Sequence, residues 1–282
     1  MMGEGSGGFE TVIVRRAYSC CGAITVAACA VFAAAPPAAY AAELTARTVT
    51  VLFHEANGGK RVDLAGKDLS NLDLAGLDFK SAIMTKANLY GADLTLANLK
   101  GADLSGAKLD RAIIMKADFS GANLEGATIL APSVFSTAMI DHADAPKFTG
   151  ANLRGARIAA RLDGTDFSNA DLTGTRIGPK ERGSEAGMAP SSKMMSVNFS
   201  GATMTNSDIR EVDLTFGRFA GTNLTGAKLI HTDLSRADFT GADLTGADLT
   251  DSNLEGAILV NVKGFDTVKG LASVVNLQSA QR

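Results

Sequence analysis

A bulky apolar residue recurs at every fifth position through most of this chain. Leu64, Leu69, Leu74, Phe79, Met84 and Leu89 open a run that continues unbroken to Ile129, and a second run extends from Phe199 to Leu259. A helix repeats every 3.6 residues and a strand every 2.0, so a period of five belongs to no single regular element. It marks a chain wound from repeated units, and it constrains the fold far more than the function.

The surroundings of each apolar centre are equally regular. A small residue stands two places before it, alanine at every unit from Ala82 to Ala127, and Asp or Asn usually stands one place before it. The unit is Ala-(Asp/Asn)-Leu-x-x, as in Ala242-Asp243-Leu244-Thr245-Gly246 and Ala247-Asp248-Leu249-Thr250-Asp251. In these units the chain strongly resembles the pentapeptide-repeat family over residues 62–261. The resemblance implies an all-β solenoid, a right-handed quadrilateral β-helix.

Four sides also follow from the spacing, because four sides of five residues close a coil of twenty. Phe199, Phe219 and Phe239 stand 20 apart with Leu259 continuing the column, and Phe79 and Phe119 stand 40 apart. Inside so narrow a solenoid the centres fill the axis, and only a small side chain fits beside each. The 34 recognisable units give about eight coils. At the β spacing of about 4.8 Å per coil the rod is roughly 40 Å long.

The amino terminus is different material. Arg15 and Arg16 precede an apolar stretch from Ala17 to Ala35, then Pro36-Pro37 and Ala39-Tyr40-Ala41. Positive residues, an apolar core and a small-residue site spell a secretory signal over residues 1–41, cleaved after Ala41, which places the mature chain in the periplasm or outside the cell. The apolar stretch is near the lower length limit for a membrane span, and none remains after cleavage. Cys20, Cys21 and Cys29 all lie inside it, so the mature chain has no thiol. Val26-Ala27-Ala28-Cys29 resembles a lipoprotein box, which makes lipid anchoring at Cys29 the alternative to simple cleavage.

Short helical caps are expected at both ends, since an open solenoid exposes apolar surface and unpaired edges. Over residues 42–61, Val49, Leu52, Phe53 and Ala56 follow helical spacing before Gly58-Gly59. Over residues 262–282, Phe265, Val268, Leu271, Ala272 and Val275 offer a matching apolar face. The alternative is that this tail, or a bare final coil, pairs with a second copy as family members often do.

The register breaks in three places. From 130 to 147 the pattern decays between Pro132 and Pro146 while Val134 and Met139 keep phase, which reads as a degenerate coil. Between Ile158 and Leu162 the spacing falls to four, a deletion that a corner absorbs. The segment 178–196, with Pro179, Gly183, Gly187 and Pro190, reads as a surface loop and is the candidate contact site for an unknown protein partner.

Chemistry is otherwise sparse. The aspartates before the centres occur on every side and read as outward ladders relieved by interspersed Lys, Arg and Asn. Glu211, His231 and Asp251 share one column and read as a salt-bridge stack, with too few ligands for a metal; His54 and His142 have no visible partner. Gly3, Gly5 and Gly8 match a dinucleotide fingerprint but follow no strand. No nucleophile stands beside a base, so no catalytic, cofactor-binding or metal residues are assigned and no enzyme is expected. Basic residues are not interleaved with aromatics, so no nucleic-acid partner is expected.

The functional expectation is therefore a non-enzymatic exported scaffold that binds another protein. The resemblance implies one alternative, because some pentapeptide-repeat proteins imitate DNA and bind gyrase. Such imitation needs an acidic surface, whereas the whole chain carries a formal charge of −3 and removing Glu4, Glu10, Arg15 and Arg16 leaves that balance unchanged.

Overall fold

A computed structural model describes residues 44–56, 60–134, 142–179 and 192–282. The segment 1–41 expected as a secretory signal, its expected cleavage site and Cys29 lie outside the described residues, as do Gly58-Gly59, Met139 and the interior of the 178–196 loop.

Each five-residue unit makes one side and one corner. The Asp/Asn position bridges in parallel to the equivalent residue one coil away, beginning with Asp63 to Ile83 and Asp68 to Asn88. The apolar centre then donates its N–H to the next coil, as Leu64 does to the Ile83 carbonyl at 2.7 Å. Two residues later the chain turns through a left-handed backbone, which glycine adopts freely and Asn tolerates, as at Gly66 (φ 62°) and Asn71 (φ 56°). The glycines that recur two places after a centre thus suit the corner, although residues such as Lys86, Leu96 and Arg111 hold the same backbone at φ 55° to 59°.

Four faces result. The first runs from Asp63 to Lys263, the second from Asp68 to Lys269, the third from Asp73 to Val275 and the fourth from Asp78 to Gln281. Following the fourth face through Asn98, Asp118, Lys147, Asp166, Asn198, Arg218, Asp238 and Ile258 to Gln281 gives ten coils, more than the eight expected. The count rises because the interrupted stretches still complete coils and the tail adds one more. On the second face the ladder is regular enough to form a true parallel sheet of β1 (Thr128–Leu130), β2 (Arg157–Ala159), β3 (Arg176–Ile177), β5 (Asp208–Arg210) and β7 (Lys228–Ile230). On the third, β4 (Ser192–Lys193) pairs with β6 (Val212–Asp213).

The axis is lined by aliphatic side chains except along the fourth face. There Phe119, Phe148, Phe167, Phe199, Phe219 and Phe239 form one continuous stack, with ring centroids 4.7 to 5.3 Å apart. All six rings are buried. The small residues beside the centres are also buried, and the hydroxyls of Thr175, Thr222 and Thr232 each find a carbonyl inside the rod, as Thr222 does with Phe199 at 2.7 Å. That bond removes the cost of burying the hydroxyl.

The two ends close differently. Helix α1 (Ala46–Ala56) lies over the first coil, burying Val49 and setting the Phe53 ring edge-on to Phe79 at 4.9 Å. At the other end the tail is not one amphipathic helix but a tenth coil with six-residue sides. Lys263, Lys269, Val275 and Gln281 bridge to Asp243, Asp248, Asn253 and Ile258. Each corner there is a 3-10 turn opened by a left-handed residue, Gly264, Gly270 or Asn276. The extra residue rotates the apolar pattern, so Phe265, Leu271 and Leu277 pack on the core while Val275, expected on the inner face, is 51% exposed. Hydroxyls of Thr267, Ser273 and Ser279 accept the N–H groups of Gly246, Asp251 and Gly256 at 2.8 to 3.0 Å. Side chains thereby take over a bonding role that backbone carbonyls serve lower in the stack.

Candidate interaction surface

The outward aspartates belong to the corners as much as to the faces. Nearly all accept the backbone N–H two residues on, as Asp63 does from Ala65 at 2.9 Å and Asp171 from Thr173 at 2.9 Å, which is an Asx turn. Asn at the same position serves the same N–H and also donates to the carboxylate of the preceding coil, as Asn88 does to Asp68 at 2.9 Å and Asn98 to Asp78 at 2.8 Å. Alternation of Asp with Asn therefore turns a repulsive column into a bonded one. The Ser70 hydroxyl and N–H hold the Asp68 carboxyl below its usual value, and the Thr245 hydroxyl does the same for Asp243. For Asp248 the Thr250 hydroxyl leads, against an opposing effect of burial. These shifts come from turn bonds and carry no catalytic meaning.

His231 sits at an exposed corner, with Nδ1 3.6 Å from an Asp251 carboxylate oxygen. Among the described residues no group of three His, Cys, Asp or Glu side chains gathers as metal ligands would, and no helix is long and apolar enough to cross a membrane.

The three breaks in register fall in three consecutive coils and all border the third face. In the fourth coil the ladder passes from Ser133 on the third face to Lys147 on the fourth, and Asn123 bonds Asn152 29 residues on instead of 20. The stretch expected as a degenerate coil is therefore an insertion within one coil. In the fifth coil the second-to-third corner is one residue short, and Lys147 bridges Asp166 19 residues on, as the spacing between Ile158 and Leu162 implies. In the sixth coil Asp166 bonds Asn198 32 residues on. The loop expected over 178–196 is narrower than that, since Ser192 and Lys193 are already strand β4 and Met194 is a buried centre.

Both insertions return to the ladder against a buried carboxylate. Asp163, fully buried, accepts the Met195 N–H at 2.8 Å and the Arg161 guanidinium at 2.8 Å. Asp144 pairs with Lys116 at 3.1 Å while its carbonyl accepts the Lys116 N–H at 2.8 Å, in the place a neighbouring coil would fill. The departure of the second insertion is fixed too, because a Cβ on Gly178 would lie 2.2 Å from the Arg210 carbonyl oxygen. Sequence reasoning singled out neither Asp144 nor Asp163; their one signal was a carboxylate falling out of phase with the repeat beside each break.

Comparison with known proteins agrees with this architecture. The model of pentapeptide repeats matches in eight copies over residues 63–101, 92–129, 147–177 and 218–256. No curated protein matches the chain. Among solved structures the chain is similar to HetL, a pentapeptide-repeat protein involved in heterocyst differentiation regulation from the cyanobacterium Nostoc sp. strain PCC 7120. The two share 24% identity with a TM-score of 0.51, over 82% of this chain and 92% of that one. It is also similar to a pentapeptide-repeat protein of the Arabidopsis thaliana thylakoid lumen, at 36% identity over 40% of this chain and 66% of that one, TM-score 0.21. A third likeness is to the plasmid-mediated fluoroquinolone resistance protein QnrB1, at 20% identity over 64% of this chain and 92% of that one, TM-score 0.36.

Proposed function

This chain belongs to the pentapeptide-repeat family, and from that premise we propose that it is a non-enzymatic, exported scaffold that binds a partner protein along the interrupted edge of its third face. One observation carries the reading: all three register departures crowd into the fourth, fifth and sixth coils on that edge, and buried carboxylates pin the return of both insertions. A solenoid that merely tolerated insertions would have no reason to gather them or to fix their stems. The sequence before residue 42 supports export, with processing after Ala41.

Gyrase binding by imitation of DNA is the weaker reading. A DNA imitation requires acidic faces, and here the middle of the second face presents Lys108, Arg157, Arg176 and Lys228 in one column.

The test is a photo-cross-linking residue placed at position 185 in cells that produce the full chain, with Tyr90 on the second face as the comparison position. The proposal expects a discrete adduct at 185 and none at Tyr90, on a chain whose amino terminus is Ala42 in the exported fraction. Equal adducts at both positions, or an unprocessed cytoplasmic chain, would overturn it.

A further inference from the structure

Several cations on and beside the interrupted coils have a carboxylate of their own. Lys100 pairs with Asp118 at 3.1 Å, Lys116 with Asp144 at 3.1 Å, Arg154 with Asp171 at 3.0 Å and Arg161 with Asp163 at 2.8 Å. Two arginines at the centre of the second face do not. Arg157 and Arg176 are directly paired across β2 and β3, one coil apart, so two guanidinium side chains leave the same sheet about 4.8 Å from each other. Like charges placed opposite each other in a ladder repel.

Among the described residues neither arginine forms an ion pair. The next residue up the ladder, Asp208, is already held by Arg210 at 2.5 Å. Asp110, on the same side of the rod, accepts the Leu130 N–H at 3.1 Å. The residue below Arg157 in the ladder is Thr128, and the next is Lys108. Arg157 Nη2 and Thr128 Oγ1 are both buried from solvent, and neither has a hydrogen-bond partner among the described residues. A buried guanidinium nitrogen and a buried hydroxyl without partners, beside a second unpaired arginine, are donors waiting for an acceptor.

We propose that Thr128, Arg157 and Arg176 form a binding site for a phosphate-class oxyanion on the sheet of the second face. A tetrahedral oxyanion supplies what the face lacks: negative charge between the two arginines, and several acceptor oxygens for planar guanidinium forks and a hydroxyl. The regular family unit would place Asp or Asn at these positions. Four successive departures, Lys108, Thr128, Arg157 and Arg176, convert the ladder from one that neutralises itself into one that needs an external anion. The source is either free inorganic phosphate or a phosphate monoester, which reaches the site from the side of the exposed Arg176.

The test compares thermal unfolding of the full chain, Arg176→Gln and Arg157→Gln in chloride and in inorganic phosphate at equal ionic strength. In chloride, Arg176→Gln removes a repulsion and should melt above the parent; in phosphate it removes a ligand and should melt below it. The phosphate dissociation constant, from calorimetric titration, should weaken about tenfold or more in either variant. Arg157→Lys keeps the charge without the fork and serves if Arg157→Gln does not fold; it too should bind more weakly. Arg218→Gln, on the fourth face, should respond to phosphate as the parent does. The same crossing with O-phosphoserine assigns a monoester source, and a crossing with inorganic phosphate alone assigns the free ion. If the order of melting does not change between chloride and phosphate, or if Arg218→Gln loses the response equally, the site does not exist.

Discussion

The first three coils and the three that follow obey one ladder in two spellings. From residue 63 to 122 every bridge joins residues 20 apart, as with Asp63 to Ile83 and Asp73 to Asp93. The steps from the third coil to the sixth span 29, 19 and 32 residues, yet each still lands a side chain directly on its neighbour. Register is therefore set by what stacks, not by how many residues lie between. The interrupted half also carries the stronger stacking: the phenylalanine column begins at Phe119 and runs through every interrupted coil to Phe239. Offset aromatic contact adds about 0.5 to 1.5 kcal/mol per pair beyond burial. The second-face sheet from β1 to β7 covers the same coils.

The sharpest way to break this comparison is to remove a ring from the middle of the stack. Phe167→Ala should destabilise the chain by about 3 to 5 kcal/mol in urea unfolding, because it opens a cavity between two rings. In a solenoid the coupling between neighbouring coils carries cooperativity, so this variant should split one transition into two. Leu89→Ala, in the regular half, should cost about 2 to 5 kcal/mol and leave one transition. Two transitions for Leu89→Ala and one for Phe167→Ala would reverse the assignment.

A smaller effect separates the corners. Gly178→Ala puts a Cβ 2.2 Å from the Arg210 carbonyl oxygen at φ +135°, which should cost about 1 to 3 kcal/mol. Gly121→Ala, at φ +64° with nothing within 4 Å, should cost nearer 1 kcal/mol. Equal losses would mean that the insertion's stem is no more constrained than an ordinary corner.

Acid should act on both halves alike. Asp68 and Asp243 are held below their usual values by turn hydroxyls and N–H groups, and Asp118 and Asp166 by similar bonds that outweigh burial. A depressed folded-state value contributes stability that is present above the unfolded value near 3.9 and lost as pH falls through the folded one. Melting temperature should therefore hold between about pH 5 and 7 with respect to these groups and fall below about pH 4. A rise in that acid range would contradict the Asx-turn assignment. The smallest change expected is from deleting residues 180–191, well under about 1 kcal/mol, since loop length enters only logarithmically.

The sequence showed the period, the four sides and the family plainly, because each unit repeats the same packing problem. It showed Phe199, Phe219 and Phe239 as a column but not that Phe148 and Phe167 continue it, since a fixed interval of 20 cannot follow a ladder through insertions. The tail misled for a related reason: a six-residue side has no precedent in the preceding units, and its apolar residues imitate helical spacing. The role of the aspartates was half legible. Their outward position followed from the repeat, whereas the Asx turn depends on where a backbone N–H points. Arg157 and Arg176 are 19 residues apart and meet only once the deletion is placed in register.

The central claim is that one continuous ladder runs through the interrupted coils and does not depend on the insertion. Hydrogen exchange on a chain lacking residues 180–191 tests it at the amides of Leu162, Phe167 and Asn198, which bond across the break to Lys193, Asn198 and Thr165 at 2.7 to 3.0 Å. Protection equal to that of the parent is the predicted result. Loss of protection at those three amides, with Leu89 and Leu104 still protected, would show that the insertion holds the coils together and would contradict the account.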